Sequence, residues 1–313
     1  MNIYLAVTID VEPDCSPTWH YSDPLSFTAV SKGIAGLLHP LFLQFGIEPT
    51  YLINNVVLED EQSISIFKEL KGAFELGTHL HGDFIEPGKI HSDYAGKDGV
   101  MNQCFLDPEV EFGKLKNITE LFTERFGYKP VSFRAGRFSA GKNTMRCLEK
   151  LGYKVDTSVT PGIIWNDASR EKPVDFSEAP NQPYWTNDFT FPYSSQQKSI
   201  LQVPVTILSK RKWGILKRVS WLRPFYSDSS QMIRISKRLM NGNQNRPIVL
   251  NMMFHNVEVM QGLNPYTRSN TDVSEYLDSM KRFFTFCKNN NVQPATLSYV
   301  YKIFSEPQCL RND

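Results

Sequence analysis

The chain has too few cysteines, too loosely spaced, to be built on them. Its five (Cys15, Cys104, Cys147, Cys287 and Cys309) are an odd number scattered over 313 residues with no Cys-x-x-Cys pair, so neither a disulfide framework nor a structural zinc site is indicated. It also lacks an excess of either charge. The formal net charge is +1, which removes any whole-chain argument for nucleic acid as a partner. No stretch approaches the roughly 18 uninterrupted apolar residues of a membrane span. Met1-Asn2 leads into a short run that already reaches Asp10, with no charged leader and no apolar segment of signal-peptide length. A reduced, cytoplasmic setting is the expectation, with at most peripheral membrane contact. Internal repeats and low-complexity tracts are absent as well. The hydrophobic fraction of 41% and charged fraction of 21% are those of an ordinary globular protein.

What is present is a set of four polar patches interrupting hydrophobic runs far apart in the chain: Thr8-Ile9-Asp10-Val11-Glu12, Gly77-Thr78-His79-Leu80-His81, Phe133-Arg134-Ala135-Gly136-Arg137 and Phe254-His255-Asn256. Buried parallel strands deliver side chains to the open end of an α/β sheet or barrel in this way. The intervening pattern agrees. Residues 3–9 read as a strand, 31–45 as a helix despite Pro40, 49–57 as a strand, 64–70 as a helix, and 73–76 as a short strand ending at the histidines. Helices at 108–126 and 142–151, each closed by glycine, alternate with strands at 130–133 and 153–158. A strand at 248–254, a helix at 274–289 and a short strand at 293–297 complete the series. The fold class is therefore α/β, a distorted or incomplete (β/α) barrel. The expected organisation is one domain over 1–305 and a tail at 306–313.

The rhythm breaks at an aromatic-rich insert of about 165–230, which contains Trp165, Trp185, Trp213 and Trp221. Long irregular inserts in compact domains are more often functional loops than linkers. Aromatic faces suit a sugar ring, and they equally suit a satellite hydrophobic cluster.

Glu12, His79 and His81 could hold a divalent ion, since residues two apart in an extended segment point to the same side. Asp83 is a rival third ligand. Asp10 shares the face of Glu12 and could act as general base, held by Arg134, with Arg137 as a second anchor; both arginines could also be surface ion pairs. His255, after an apolar run, is placed to protonate a leaving group or to be a satisfied structural histidine. The basic run of 209–218 could meet an anionic glycan or a membrane surface, or be a solvated face.

These patches resemble the motifs of the polysaccharide deacetylases of carbohydrate esterase family 4, the NodB-homology superfamily. Thr-Ile-Asp-Val-Glu is similar to the first motif, Glu75-Leu-Gly-Thr-His-Leu-His81 to the second, Ser132-Phe-Arg-Ala-Gly-Arg137 to the third and Phe254-His-Asn to the fifth. The resemblance spans most of residues 1–300. It implies Asp10 as base, Glu12 as metal ligand, and His255 as proton donor with Arg134 beside the base. The usual second motif separates its histidines by three residues. Here the pair is His-Leu-His, similar to members that act in surface-polysaccharide assembly, as are residues 152–158 and 255–266.

The resemblance therefore implies a metal-dependent N-deacylase acting on an N-acylated sugar, nucleotide-linked or lipid-linked. Zinc is the expected ion, with cobalt, nickel or iron as alternatives. Arg137, Trp165, Trp185 and Tyr266 are the candidate substrate contacts. A small-amide hydrolase of the allantoinase kind and a catalytically inactive glycan-binding protein are the rival readings.

Overall fold

The computed structural model describes residues 2–166, 172–212, 216–242 and 246–306, and side chains other than those of 210–218. The basic run of 209–218 thus lies almost wholly outside the described side chains, as does nearly all of the 306–313 tail. The architecture is a mixed α/β one, a curled, incompletely closed barrel of strands wrapped by helices.

In chain order, β1 (Ile3–Val11) leads to a π-helical segment, Ala29–Leu38, that runs on into α1 (His39–Phe45). Next come β2 (Pro49–Asn54), α2 (Asn55–Leu58), α3 (Glu61–Glu69), β3 (Glu75–Leu80), α4 (Pro108–Phe126), β4 (Ser132–Ala135), α5 (Lys142–Leu151) and β5 (Val155–Asp156). The insert holds β6 (Ile164–Trp165), β7 (Val174–Asp175), β8 (Tyr184–Thr186), β9 (Ile200–Gln202), β10 (Ile207–Lys212) and β11 (Leu216–Trp221). The chain then forms α6 (Ser229–Met240), β12 (Ile248–His255), α7 (Asn270–Asn289), β13 (Gln293–Pro294) and α8 (Leu297–Ser305).

The main sheet runs β12-β1-β2-β3-β4-β5-β9-β8, with β13 pairing the start of β1. All of its pairings are parallel except β8 with β9. Among the described residues the barrel does not close through a ladder. After β9 comes Val203-Pro204, and proline has no N–H to offer a neighbouring strand. Side chains bridge the gap to β12: Asn251 Nδ2 donates to the carbonyls of Val203 and Pro204, and Gln182 exchanges two hydrogen bonds with the backbone of Val249.

The period-2 alternation of β1 sorts its residues onto two faces. Leu5, Val7, Ile9 and Val11 point outward into the large core under the helices. Tyr4 and Ala6 point inward, joining Leu52, Val155, Leu201, Val249, Ala295, Leu297 and Val300 in a plug at the bottom of the barrel. Thr8, Asp10 and Glu12 continue that inward row. The same parity on β3 sends Leu76 and Leu80 outward and leaves His79 on the interior side.

Two expectations are corrected. The strand expected at 73–76 is Glu75–Leu80, so His79 lies within it rather than after it. A histidine in a wholly buried strand looks like a strand end in sequence, because buried polar side chains are rare away from sites. The insert is also more regular than expected: β8 and β9 extend the main sheet, and β10 and β11 make a separate hairpin.

Candidate active site

At the C-terminal ends of β1, β3, β4 and β12 the inward rows converge. Register fixes this, since Asp10 lies opposite His255 across β1–β12 and His79 lies opposite Arg134 across β3–β4. The four sequence patches therefore meet. Glu12 is clamped through its own backbone: its N–H donates to Asn256 Oδ1 and its carbonyl accepts from Asn256 Nδ2, both at 2.9 Å.

Glu12, His79 and His81 present ligand atoms that all lie within 4.8 Å of one another. His79 Nδ1 is 3.1 Å from the carbonyl of Arg134, which can only accept, so Nδ1 carries a proton, and in the neutral imidazole Nε2 keeps its lone pair. That Nε2 is 3.2 Å from both Glu12 Oε1 and His81 Nε2, and His81 Nε2 is 3.1 Å from the same carboxylate oxygen. Three acceptor atoms at contact distance are satisfied only by a shared proton or a cation, and a carboxylate with two imidazoles is a donor set suited to a divalent transition ion. Burial alone would push the Glu12 carboxyl up, but His81 and His79 outweigh it and hold it well below its usual range. Burial alone would lower the His81 imidazole, and Glu12 instead holds it above its usual value.

Asp83 is not in this cluster. It is fully buried, and its Oδ1 accepts from the backbone N–H groups of Val100 and Met101. Those bonds pin the 98–101 segment, and Gly99 there presses on His81 so closely that a Cβ would stand 2.3 Å from Nδ1.

Asp10 sits beside the cluster, 2% exposed. Arg134, wholly buried, donates from Nη1 to Asp10 Oδ1 at 2.6 Å and from Nη2 to Thr8 Oγ1 at 2.6 Å. Thr8 passes its own proton to Asn251 Oδ1 at 2.9 Å, so the arginine is held from behind. Burial alone would raise the Asp10 carboxyl; Arg134, His79 and His255 together outweigh it and keep the group lowered. Its other oxygen, Oδ2, lies 4.0 Å from His79 Nε2 and 3.9 Å from His255 Nε2.

His255 is oriented by a residue that the sequence motifs do not flag. Glu258 Oε1 accepts from His255 Nδ1 at 2.9 Å and from its backbone N–H at 3.0 Å, leaving Nε2 facing Asp10. Arg223 Nη2 donates to the same oxygen at 2.5 Å, and Tyr276 donates to Oε2 at 3.0 Å. Although burial opposes it, Arg223 and the bonds from His255 depress the Glu258 carboxyl to about 2. A signal for it exists in the chain: an acid three residues after a histidine at a strand end can turn back onto it.

These groups open into a cavity of about 290 Å³. Arg137, Trp165 and Tyr266 line it, together with Trp19, Tyr21, Asp98 and Phe138. Trp185 does not. It lies on β8 with its ring 5.7 Å from Tyr301 of α8, against the bottom plug. Trp165 and Trp185 separate because β6 belongs to a small two-stranded ribbon whereas β8 is an edge of the main sheet.

A scan against protein-family models finds no match, and a search of curated proteins finds none either. Solved structures do match. A structure described as a polysaccharide deacetylase from Mycobacterium smegmatis is 14% identical, covers 96% of this chain and 90% of its own, and superposes with a TM-score of 0.56. Another so described, from Pseudomonas aeruginosa PAO1, is 14% identical over 96% and 90% with a TM-score of 0.58. The Puue allantoinase is 14% identical over 96% and 90% with a TM-score of 0.57. The chain thus has the fold of the polysaccharide deacetylases, a NodB-type distorted (β/α) barrel shared with an amidohydrolase.

Proposed function

We propose that the protein is a metal-dependent N-deacylase that hydrolyses the amide of an N-acylated sugar. The observation that carries this reading is the position of Asp10. It stands about 4 Å from His79 Nε2 on one side and from His255 Nε2 on the other, between a three-ligand cluster and an oriented imidazole.

Glu12, His79 and His81 would hold the ion, for which zinc is the first choice by donor type. When bound, it supplies Lewis-acid polarisation of an amide carbonyl and acidifies water. In this reading Asp10 takes the proton from the attacking water, and Arg134 keeps Asp10 ionised and pointed at it. His255, steadied at Nδ1 by Glu258, gives a proton from Nε2 to the departing nitrogen. The aromatic walls suit a sugar better than a small cyclic amide, because pyranose C–H faces stack on rings.

We place the reaction in surface-polysaccharide assembly on a nucleotide-linked or lipid-linked sugar, with residues 1–305 as the catalytic unit. A cytoplasmic setting belongs to the same proposal; among the described residues no helix is long and apolar enough to cross a membrane. The test is acyl release from N-acetylated sugars by zinc-loaded protein. Asp10→Asn should abolish it while the ion stays bound, and near-normal turnover in that variant would refute the assignment of the base. Turnover of cyclic amides but not of sugars would favour the amidohydrolase reading.

A further inference from the structure

Four non-glycine residues among those described adopt left-handed backbone: Trp19 (φ 67°), Arg137 (φ 55°), Phe138 (φ 54°) and Asn291. Asn291 follows the end of α7 and is a residue type that tolerates this conformation. The other three are not such types, and all three line the cavity beside Asp10 and His255. Strain of this kind persists only where surrounding structure enforces it.

The enforcement is visible at both loops. Around Trp19, its N–H donates to Ser16 O at 3.0 Å, Ser16 N–H to His20 O at 2.7 Å, and Tyr21 N–H to Lys97 O at 2.7 Å. Around 137–138, both the N–H and the hydroxyl of Ser139 donate to Gly136 O, and Cys104 N–H donates to Ser139 O at 3.0 Å. Arg137 Nη1 also donates to Gly99 O at 3.0 Å.

The strained residues contribute side chains to the lining of the cavity. The Trp19 ring centre lies 5.0 Å from that of His255 and 5.7 Å from Tyr266. In the same lining, Phe138 is stacked on Trp165 at 5.6 Å and 12°. Arg137 and Asp98 border the same cavity. Apolar faces with polar groups at their margin match a pyranose ring, and a cavity of about 290 Å³ is at the small end for ligand sites.

We infer that Trp19, Arg137 and Phe138 are specificity residues that grip one hexosamine ring, the ring bearing the amide, and that their left-handed backbone is retained for this contact. The inference rests on the deacylase reading above. Arg137 is already among the candidate substrate contacts read from the sequence; Trp19 and Phe138 are not.

The experiment is a set of paired variants, Trp19→Ala with Trp19→Gly and Arg137→Ala with Arg137→Gly, in the full zinc-loaded chain. Each pair deletes the same side chain, and only glycine relieves the backbone. The expected result is that each glycine variant melts about 2 °C above its alanine partner. Both members should raise KM for N-acetylated sugars tenfold or more, with kcat changed less than about threefold and zinc still bound. Unchanged KM in an active wild-type background overturns the inference while leaving the deacylase reading intact. If wild type releases no acyl group, that reading fails instead. The rim is then tested by calorimetric titration with N-acetylglucosamine and N-acetylgalactosamine: binding lost in the variants supports it, and binding equal to wild type, or none in wild type, overturns it.

Discussion

Replacing Glu258 with glutamine removes one charge and almost no volume, and the structure sets what that costs. In the native protein the carboxylate accepts from Arg223, from Tyr276 and twice from His255, and is held at about 2 against an ordinary 4.5. That difference corresponds to about 3 kcal/mol of native-state stabilisation at neutral pH. A second route gives a similar figure. Arg223 is 4% exposed, and stripping the partner from a buried ion pair costs about 3–5 kcal/mol. For 313 residues a loss near 3 kcal/mol lowers Tm by roughly 5 °C.

The pH profile supplies an independent signature. A depressed carboxyl contributes stability that is fully present above about 4.5 and is lost as pH falls through about 2. Wild type should therefore lose stability steeply in that window, and Glu258→Gln should show a shallower decline from a lower starting point. Thermal and urea unfolding between pH 2 and 8 measure both. A Tm within 1 °C of wild type at pH 7, or an unaltered acid slope, would refute the account of Glu258 as a charge anchored by Arg223.

Gly99→Ala should fold yet bind zinc at least tenfold more weakly by calorimetric titration, because its Cβ would occupy space within 2.3 Å of His81 Nδ1. His79→Ala and His81→Ala should not reach one ion per chain at saturating zinc, whereas Asp83→Ala should, since Asp83 holds backbone rather than the ion; elemental analysis after desalting decides this. Zinc affinity should fall as pH is lowered through the raised His81 value, because the proton and the ion compete for one lone pair. Asp156, wholly buried, is pushed up to about 6 by burial, against which its bonds with Ser158 pull down only in part. The native state then holds a proton that the unfolded chain releases, so stability should decline as pH rises from about 4 to 6, and Asp156→Asn should flatten that slope.

Some of this was readable in the chain. The spacing of Asp10 and Glu12 on one strand fixes a shared face, because side-chain alternation is a local property of extended backbone. The helices at 108–126 and 142–151 were legible to the residue, each carrying an apolar stripe and ending at glycine. The resemblance to deacetylase motifs brought Arg134 and His255 to the same place, and the parallel register of β1 with β12 does set His255 opposite Asp10.

What lay beyond sequence was every decision made between distant segments. Whether His81 or Asp83 joined Glu12 depended on the turn after β3, where Asp83 Oδ1 is taken by the 98–101 backbone and His81 is left facing the cavity. Which aromatics met the site depended on how the insert's strands were shared between the main sheet and small ribbons, and this sent Trp165 to the cavity and Trp185 to the bottom. Periodicity is written residue by residue and survives in the sequence. The choice among competing hydrogen-bond partners is made by close approach of segments tens to hundreds of residues apart, and only the packed barrel supplies it.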